Sequence, residues 1–298
     1  MHPAVRQLRP PSAGPAAARR TMRVAALVAV LAALLLAACS GGAPAGQPQG
    51  TLAPETRQAV DALIQQGRDQ FAAGAYQQAR APLEQAVAAD PQSTEARFLL
   101  GNVYYYLGQL EPAAKEFEAA VALDPNHGGA HLNLGVIYYL QSGPQPGARL
   151  DQAIAEFRRA AELEPDAPDA HYMLGAAYLI QATGGDETVE DQARLSEART
   201  TFEAALRANS QHAPTFVGLG NVYLYMRDYG QAASLLEQAT RLDPDLPEAW
   251  FALGKAYHAQ GSTEQAIAAY QTFLALNPPN AADKLQEARR ALAELQGK

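Results

Sequence analysis

From Leu63 to Pro278 the apolar residues return six times in one order, at helical spacing. The first half of each later copy sets a leucine beside a glycine and an aromatic three residues on: Leu100, Gly101, Tyr104; Leu134, Gly135, Tyr138; Leu174, Gly175, Tyr178; Leu219, Gly220, Tyr223; Leu253, Gly254, Tyr257. The first copy keeps Gly67, with Gln70 in the tyrosine's place and Phe71 one residue later. The second half carries apolar residues four and then three apart: Ala79, Leu83, Ala86; Ala113, Phe117, Ala120; Ala153, Phe157, Ala160; Ala198, Phe202, Ala205; Ala232, Leu236, Ala239; Ala266, Tyr270, Phe273. These spacings keep one stripe of a helix apolar, so each copy predicts two amphipathic helices.

Pro91, Pro125, Pro165, Pro244 and Pro278 close five copies, because proline cannot continue a helix; Ser210 closes the other. The glycine allows the two helices of a copy to approach, and a side chain there overpacks the contact by about 1–3 kcal/mol. After Pro278, Leu285, Ala288, Leu292 and Leu295 form one more amphipathic helix with no successor, a cap for the last copy. Two copies are longer than the others, and the additions fall between their helices. Gln141 to Gly147 is a Gly- and Pro-rich loop, and Thr183 to Leu195 carries Asp186, Glu187, Glu190 and Asp191, a solvated acidic loop or a recognition element.

The complete last copy, Trp250, Leu253-Gly254, Tyr257, Ala266, Tyr270 and Pro278, resembles the tetratricopeptide repeat family, and the likeness covers residues 60–280. It implies an all-α fold: a right-handed superhelical solenoid of six helix hairpins plus a C-terminal capping helix. The units are 60–93, 94–127, 128–167, 168–212, 213–246 and 247–280, within a solenoid of residues 57–280, and the cap is 281–298. Such units are too small to bury their own apolar faces and must stack on their neighbours.

Ahead of the repeats, Val24 to Ala38 is an unbroken apolar run led by Arg19, Arg20 and Arg23, too short to span a bilayer comfortably. It reads as the core of an export signal over residues 1–38. Met22 opens a compact version of that signal and is the favoured start; Arg19-Arg20 offers a twin-arginine alternative whose flanking residues match poorly. Leu36-Ala37-Ala38-Cys39 resembles the lipobox of bacterial lipoproteins, which implies that Cys39, the sole cysteine, is acylated and anchors the chain to a membrane of the cell envelope. Residues 39–56 then form the lipidated cysteine and a flexible Gly-, Ala-, Pro- and Gln-rich tether. Loss of residues 1–38 leaves 18 basic against 31 acidic residues, a formal charge of −13, which argues against nucleic acid as a partner.

Family resemblance also implies that ligands lie against the first helices, on positions three before and one, four or five after each glycine. In the earlier copies these are Ile64, Arg68, Phe71, Phe98, Asn102, Tyr105, Tyr106, Leu132, Val136 and Tyr139. In the later ones they are Tyr172, Ala176, Leu179, Ile180, Val217, Asn221, Leu224, Tyr225, Phe251, Lys255 and His258. So apolar a lining suggests a groove for an extended peptide or an amphipathic helix, with some of the aromatics packing between neighbouring copies instead. The residues selected as partner-binding are Phe98, Asn102, Tyr105, Tyr106, Asn133, Tyr139, Tyr172, Asn221, Tyr225 and Phe251. Asn102 and Asn133 stand where peptide-clamping relatives hold a ligand's backbone, and an amide both donates and accepts. The basic residues that grip a terminal carboxylate in those relatives are replaced here by Phe98, Asp169 and Met173, which speaks against a carboxylate clamp.

His127 and His131 are four apart but lack further ligands nearby for a metal. His131 and His171 share the place of Trp250, so packing at a helix start is their expected role. Gly218-Leu219-Gly220 lacks the third glycine and the strand of a dinucleotide loop and reads as a repeat feature. No catalytic or cofactor motif is present, so the expectation is a scaffold that binds protein or peptide partners and assembles or localises an envelope complex, without metal or cofactor. Two other readings fit the plan: a pilotin-like pilus or secretion assembly factor, and a cell-wall protein that stacks glycans on its tyrosines.

Overall fold

The computed structural model describes residues 52–143, 147–184, 191–279 and 281–297. Cys39 and the signal before it, residues 144–146 of the first insertion, and Asp186, Glu187 and Glu190 of the second lie outside the described residues. The described residues form thirteen helices: α1 Pro54–Ala72, α2 Tyr76–Ala89, α3 Thr94–Tyr106, α4 Leu110–Leu123, α5 Gly128–Gln141, α6 Ala148–Leu163, α7 Pro168–Thr183, α8 Gln192–Ala208, α9 Ala213–Tyr225, α10 Tyr229–Leu242, α11 Pro247–Gln260, α12 Thr263–Leu276 and α13 Ala282–Leu295. Among the described residues there is no strand. The fold class is all-α, as the periodicity predicts.

Helix pairing rests on a ring or branched side chain seated on a glycine. A Cβ built on Gly101 would lie 2.7 Å from the Phe117 ring, one on Gly220 2.6 Å from Leu236, and one on Gly254 2.6 Å from Tyr270. Gly67 meets Leu83 in the same way, and across the longer copy Gly175 meets Phe202 at 2.9 Å. Phe117, Phe157 and Phe202 are fully buried, and each such side chain contributes about 1.5–3 kcal/mol by leaving water.

Successive hairpins are joined by a second recurring device. The carboxylate of Asp90, Asp124 or Asp243 accepts the backbone N–H two residues on, turning the chain over the following proline. That proline's carbonyl then accepts a hydrogen bond from the residue six further on: Arg97 Nε to Pro91 (2.8 Å), His131 Nε2 to Pro125 (3.1 Å), His171 Nε2 to Pro165 (2.9 Å) and Trp250 Nε1 to Pro244 (2.8 Å). A carbonyl can only accept, so both histidines carry the proton on Nε2. The position expected to hold packing residues therefore selects a planar N–H donor. Where Ser210 stands in place of proline, the sixth residue is Phe216, a buried ring with no N–H, so the donor of this bond is missing there.

The described residues group into two compact units, 52–137 and 138–297. In the first, α1 packs on α2, α2 on α3 and α3 on α4. Val60, Leu63 and Ile64 meet Ala86 and Ala96 in its core. In the second, each helix from α6 to α13 packs on the next, and the first helices α7, α9 and α11 also touch in sequence. Its core runs through Phe216, Leu236, Leu253 and Phe273 to Ala288 of α13, and Leu285, Leu292 and Leu295 cover the end as the amphipathic pattern predicts.

The insertion of 183–195 has one acidic residue whose task is visible: Asp191 caps α8, accepting from Ala193 N (3.0 Å) and Arg194 N (3.2 Å).

The glycine seat yields a direct test by urea unfolding. Gly101→Val is expected to destabilise the chain by about 1–3 kcal/mol through overpacking on Phe117. Gly129→Ala, whose new carbon would meet nothing closer than Phe98 at 3.5 Å, is expected to be neutral or stabilising by up to about 1 kcal/mol.

Candidate functional site

In the 138–297 unit the neighbouring first helices share a face that opens into a cavity of about 730 Å³. Tyr139 of α5, Tyr172, Ala176, Leu179 and Ile180 of α7, and Val217, Asn221, Leu224 and Tyr225 of α9 line it, with Phe251 and Lys255 of α11. These are all the residues of this unit that the glycine register assigns to a ligand face, except His258. His258 borders a separate depression with Glu287, Arg290 and Glu294.

Several lining residues fall outside that register: Phe202, Gly218, Arg227, Tyr229, Glu248 and Lys284. Phe202 is the second-helix ring seated on Gly175, and it also presses on Gly218, where a Cβ would come within 2.5 Å. The place of Gly218, two before the packing glycine, holds Leu99, Asn133, Met173 or Ala252 in neighbouring copies. The tripeptide reads as a repeat feature, but only Leu219 and Gly220 recur; Gly218 removes a side chain so that the buried Phe202 ring can pack against α9 beneath the cavity. Its departure from the repeat is the signal that could have identified it.

Burial sets the chemistry of the lining. Tyr139 is pushed up to about 12 by burial alone, and Tyr172 is raised further by burial, by Tyr139 and by the carboxylates of Glu248 and Asp169. Both remain neutral phenols near pH 7, set among apolar side chains. Phe251 is buried against Tyr270 and Phe273, while Lys255 Nζ and Lys284 Nζ lie 5.9 and 5.7 Å from its ring centre. Edge-on to Tyr172 at 5.2 Å sits His212, with Nδ1 2.6 Å from Thr215 Oγ1. Burial lowers the His212 pKa, with Asp169 opposing, so the imidazole is held in its neutral form.

The remaining selected residues belong to the 52–137 unit. Asn133 Nδ2 donates to Asn102 Oδ1 at 2.6 Å, a bond that does not use the Asn102 amide nitrogen or the Asn133 carbonyl oxygen, a donor group and an acceptor group that together complement a peptide bond. Tyr106 stacks on Tyr76 (4.7 Å) and meets Phe71 (5.2 Å) edge-on, so its ring packs the base of the α1–α2 turn. Tyr105 lies against Tyr106 at 5.5 Å and is half-buried. Phe98 packs on His127 (4.6 Å) and Phe117 (6.0 Å). His127 Nδ1 accepts the N–H of Ala130, so both histidines of this pair serve the backbone. Among the described residues no cluster of three His, Cys, Asp or Glu is placed to hold a metal, and no helix is long and apolar enough to cross a membrane.

Comparison with known proteins adds a family. Sequence models described as "Tetratricopeptide repeat" match residues 70–118 and 217–281, and one described as "TPR repeat" matches 101–142 and 149–181. The peroxisomal targeting signal receptor of Debaryomyces hansenii is 30% identical over 108 residues, which is 36% of this chain and 18% of the receptor. That of Yarrowia lipolytica is 32% identical over 100 residues, 34% of this chain and 17% of the receptor. The match thus spans less than a fifth of these curated relatives. Among solved structures, PilF of Pseudomonas aeruginosa superposes with a TM-score of 0.63 at 21% identity, covering 79% of this chain and 98% of PilF. PilW, a type IV pilus biogenesis factor, gives 0.61 at 21% identity over 77% and 98% of the two chains. YrrB, a TPR protein with an unusual peptide-binding site, gives 0.52 at 17% identity over 70% and 97%. These three likenesses are likenesses of fold.

The buried imidazole behind Tyr172 predicts a pH dependence of stability. Its folded pKa lies below the unfolded value of about 6.5, so its contribution is complete above that pH and is lost as pH falls from there toward the folded value. The urea midpoint is expected to drop between pH 7.5 and pH 5.5, above the ordinary carboxylate range, and the drop is expected to be smaller in His212→Gln.

Proposed function

Because the chain belongs to the tetratricopeptide repeat family, we propose that it is a binding scaffold whose cavity in the 138–297 unit receives an extended peptide or the apolar face of a partner helix. The observation that carries this reading is the cavity itself. Four successive first helices contribute aromatic and aliphatic side chains around a single amide, Asn221, with Tyr139, Tyr172, Tyr225 and Tyr229 also lining the cavity, which is the make-up of a site that buries apolar groups and fixes a backbone by a few polar contacts. The Asn102–Asn133 pair offers the other unit a backbone-reading contact of its own. Binding, without chemistry on the ligand, is the proposed activity.

The lipobox around Cys39 supports placing this scaffold on a membrane of the cell envelope, where it would assemble or localise a protein complex. An assembly role in pilus biogenesis, as PilW has, is the more specific version, favoured by matching that protein over 98% of its length.

Asn221→Ala with Tyr225→Ala changes two partly exposed cavity residues and should leave the helical circular dichroism intact. Loss of about 1–3 kcal/mol in affinity, a drop of about five- to 150-fold, is expected for partners recovered by crosslinking. Undiminished recovery by the folded double variant would remove the cavity from the proposal, and retention of polysaccharide alone would favour the glycan reading. Asn102→Ala with Tyr105→Ala tests the first unit in the same assay.

The anchor has its own test. Cys39→Ser is expected to move the chain from the membrane fraction to the soluble fraction and to abolish labelling by a radioactive fatty acid. An unlabelled wild-type chain would exclude the anchor.

A further inference from the structure

In the second, fourth and sixth copies the residue six before the packing glycine is a carboxylate in the first turn of the first helix: Glu95 of α3, Asp169 of α7 and Glu248 of α11. Glu95 pairs with Arg68, which stands one residue past the glycine of the preceding copy. Between α9 and α11 the same arrangement has lost its cation, because Asn221 occupies the place of Arg68. Ahead of Asp169 that place holds Val136. Among the described residues neither Glu248 nor Asp169 makes an ion pair or a hydrogen bond.

Both carboxylates act on one phenol. Tyr172 lines the cavity together with Glu248 and is only 7% exposed, yet its hydroxyl makes no hydrogen bond among the described residues. Burial raises its pKa most, and Tyr139, Glu248 and Asp169 add to the rise, so both carboxylates lie within electrostatic reach of the hydroxyl. A polar group so deeply buried is costly to leave unpaired, and a guest can supply the partner. Pro214, at the same place on the intervening α9, lines the cavity without adding charge.

The cations of the cavity stand elsewhere. Lys255 is two turns, about 10 Å, further along α11 than Glu248 and pairs with Glu287 of α13. Lys284 is carried by α13 itself, and Arg227 follows the end of α9. The lining thus has an acidic end at the first turns of its helices, and the chain's formal charge of −8 adds to the attraction for a cation.

We infer that this acidic end, formed by Glu248, Asp169 and the Tyr172 hydroxyl, receives the cationic head of an arginine or lysine side chain of a bound peptide whose apolar neighbours fill the rest of the cavity. The inference rests on the cavity being the binding site and names what that site selects. The cation supplies N–H donors to the two carboxylates and to the phenol oxygen, while its hydrocarbon stem packs on the surrounding rings. It takes the part that Arg68 plays toward Glu95 within the chain.

The test uses the full chain and two twelve-residue peptides, labelled with fluorescein at the N-terminus, that share their Phe and Leu positions and carry either arginine or norleucine at the centre. By fluorescence anisotropy the arginine peptide is expected to bind at least about tenfold more tightly, with the preference shrinking as salt is raised. Glu248→Gln with Asp169→Asn is expected to weaken the arginine peptide by about tenfold and to leave the norleucine peptide unchanged, a result that loss of the fold would not give. Tyr172→Phe is expected to weaken the arginine peptide alone, by about threefold. Equal affinity for the two peptides, or a double variant that binds the arginine peptide as tightly as the parent, overturns the inference while leaving the cavity as a binding site. Failure of both peptides to bind overturns the cavity reading along with it.

Discussion

The contact of a second-helix ring or leucine with a first-helix glycine is the constraint from which the rest of this structure follows. It sets the distance between the helices of a hairpin to that of a backbone against a side chain, which is closer than two side chains would allow. Gly101 on Phe117, Gly175 on Phe202 and Gly254 on Tyr270 are the same joint made with different rings. Because the joint fixes each pair internally, the aromatic three residues past the glycine faces the preceding hairpin. Tyr104 and Tyr257 there donate to Glu84 and Glu237, each twenty residues earlier, and burial and that bond hold their phenols at about 12. Tyr178 makes the equivalent contact with the roles exchanged, accepting from Arg158.

The opposite sides of the same first helices are left for other work. A helix that spends its glycine and leucine on packing presents the residues one, four and five past that glycine to the far side. In α7, α9 and α11 those residues gather around one cavity. Fold and cavity lining are therefore written in one register, and a substitution that shifts the register alters both.

For that reason the helices, the seats and most of the cavity lining were legible in the sequence: a period of one, three and four fixes direction as well as identity. Four kinds of residue were not. Phe202 was legible as core, but its place beneath the cavity depends on Gly218, a deletion of side chain that periodicity does not register. Arg227 occupies a turn, where no apolar pattern operates. Lys284 reaches the cavity from α13, whose orientation depends on packing rather than on spacing. The proline-carbonyl donors Arg97, His131, His171 and Trp250 share a planar N–H but no residue type, so a reading by size misses their common function.

The exchange at Ser210 and Phe216 has a mechanical consequence. A hydrogen bond to a proline carbonyl is directional and resists rotation of the next hairpin, whereas a phenyl ring held by neighbouring hydrocarbon resists separation much more than it resists tilting. The joint between α8 and α9 is thus of a different kind from those at Pro165 and Pro244 on either side of it. It lies beside Tyr172, whose ring meets His212 edge-on at 5.2 Å, so the joint nearest this part of the cavity lining is held by hydrocarbon while a hydrogen-bonded joint stands on either side.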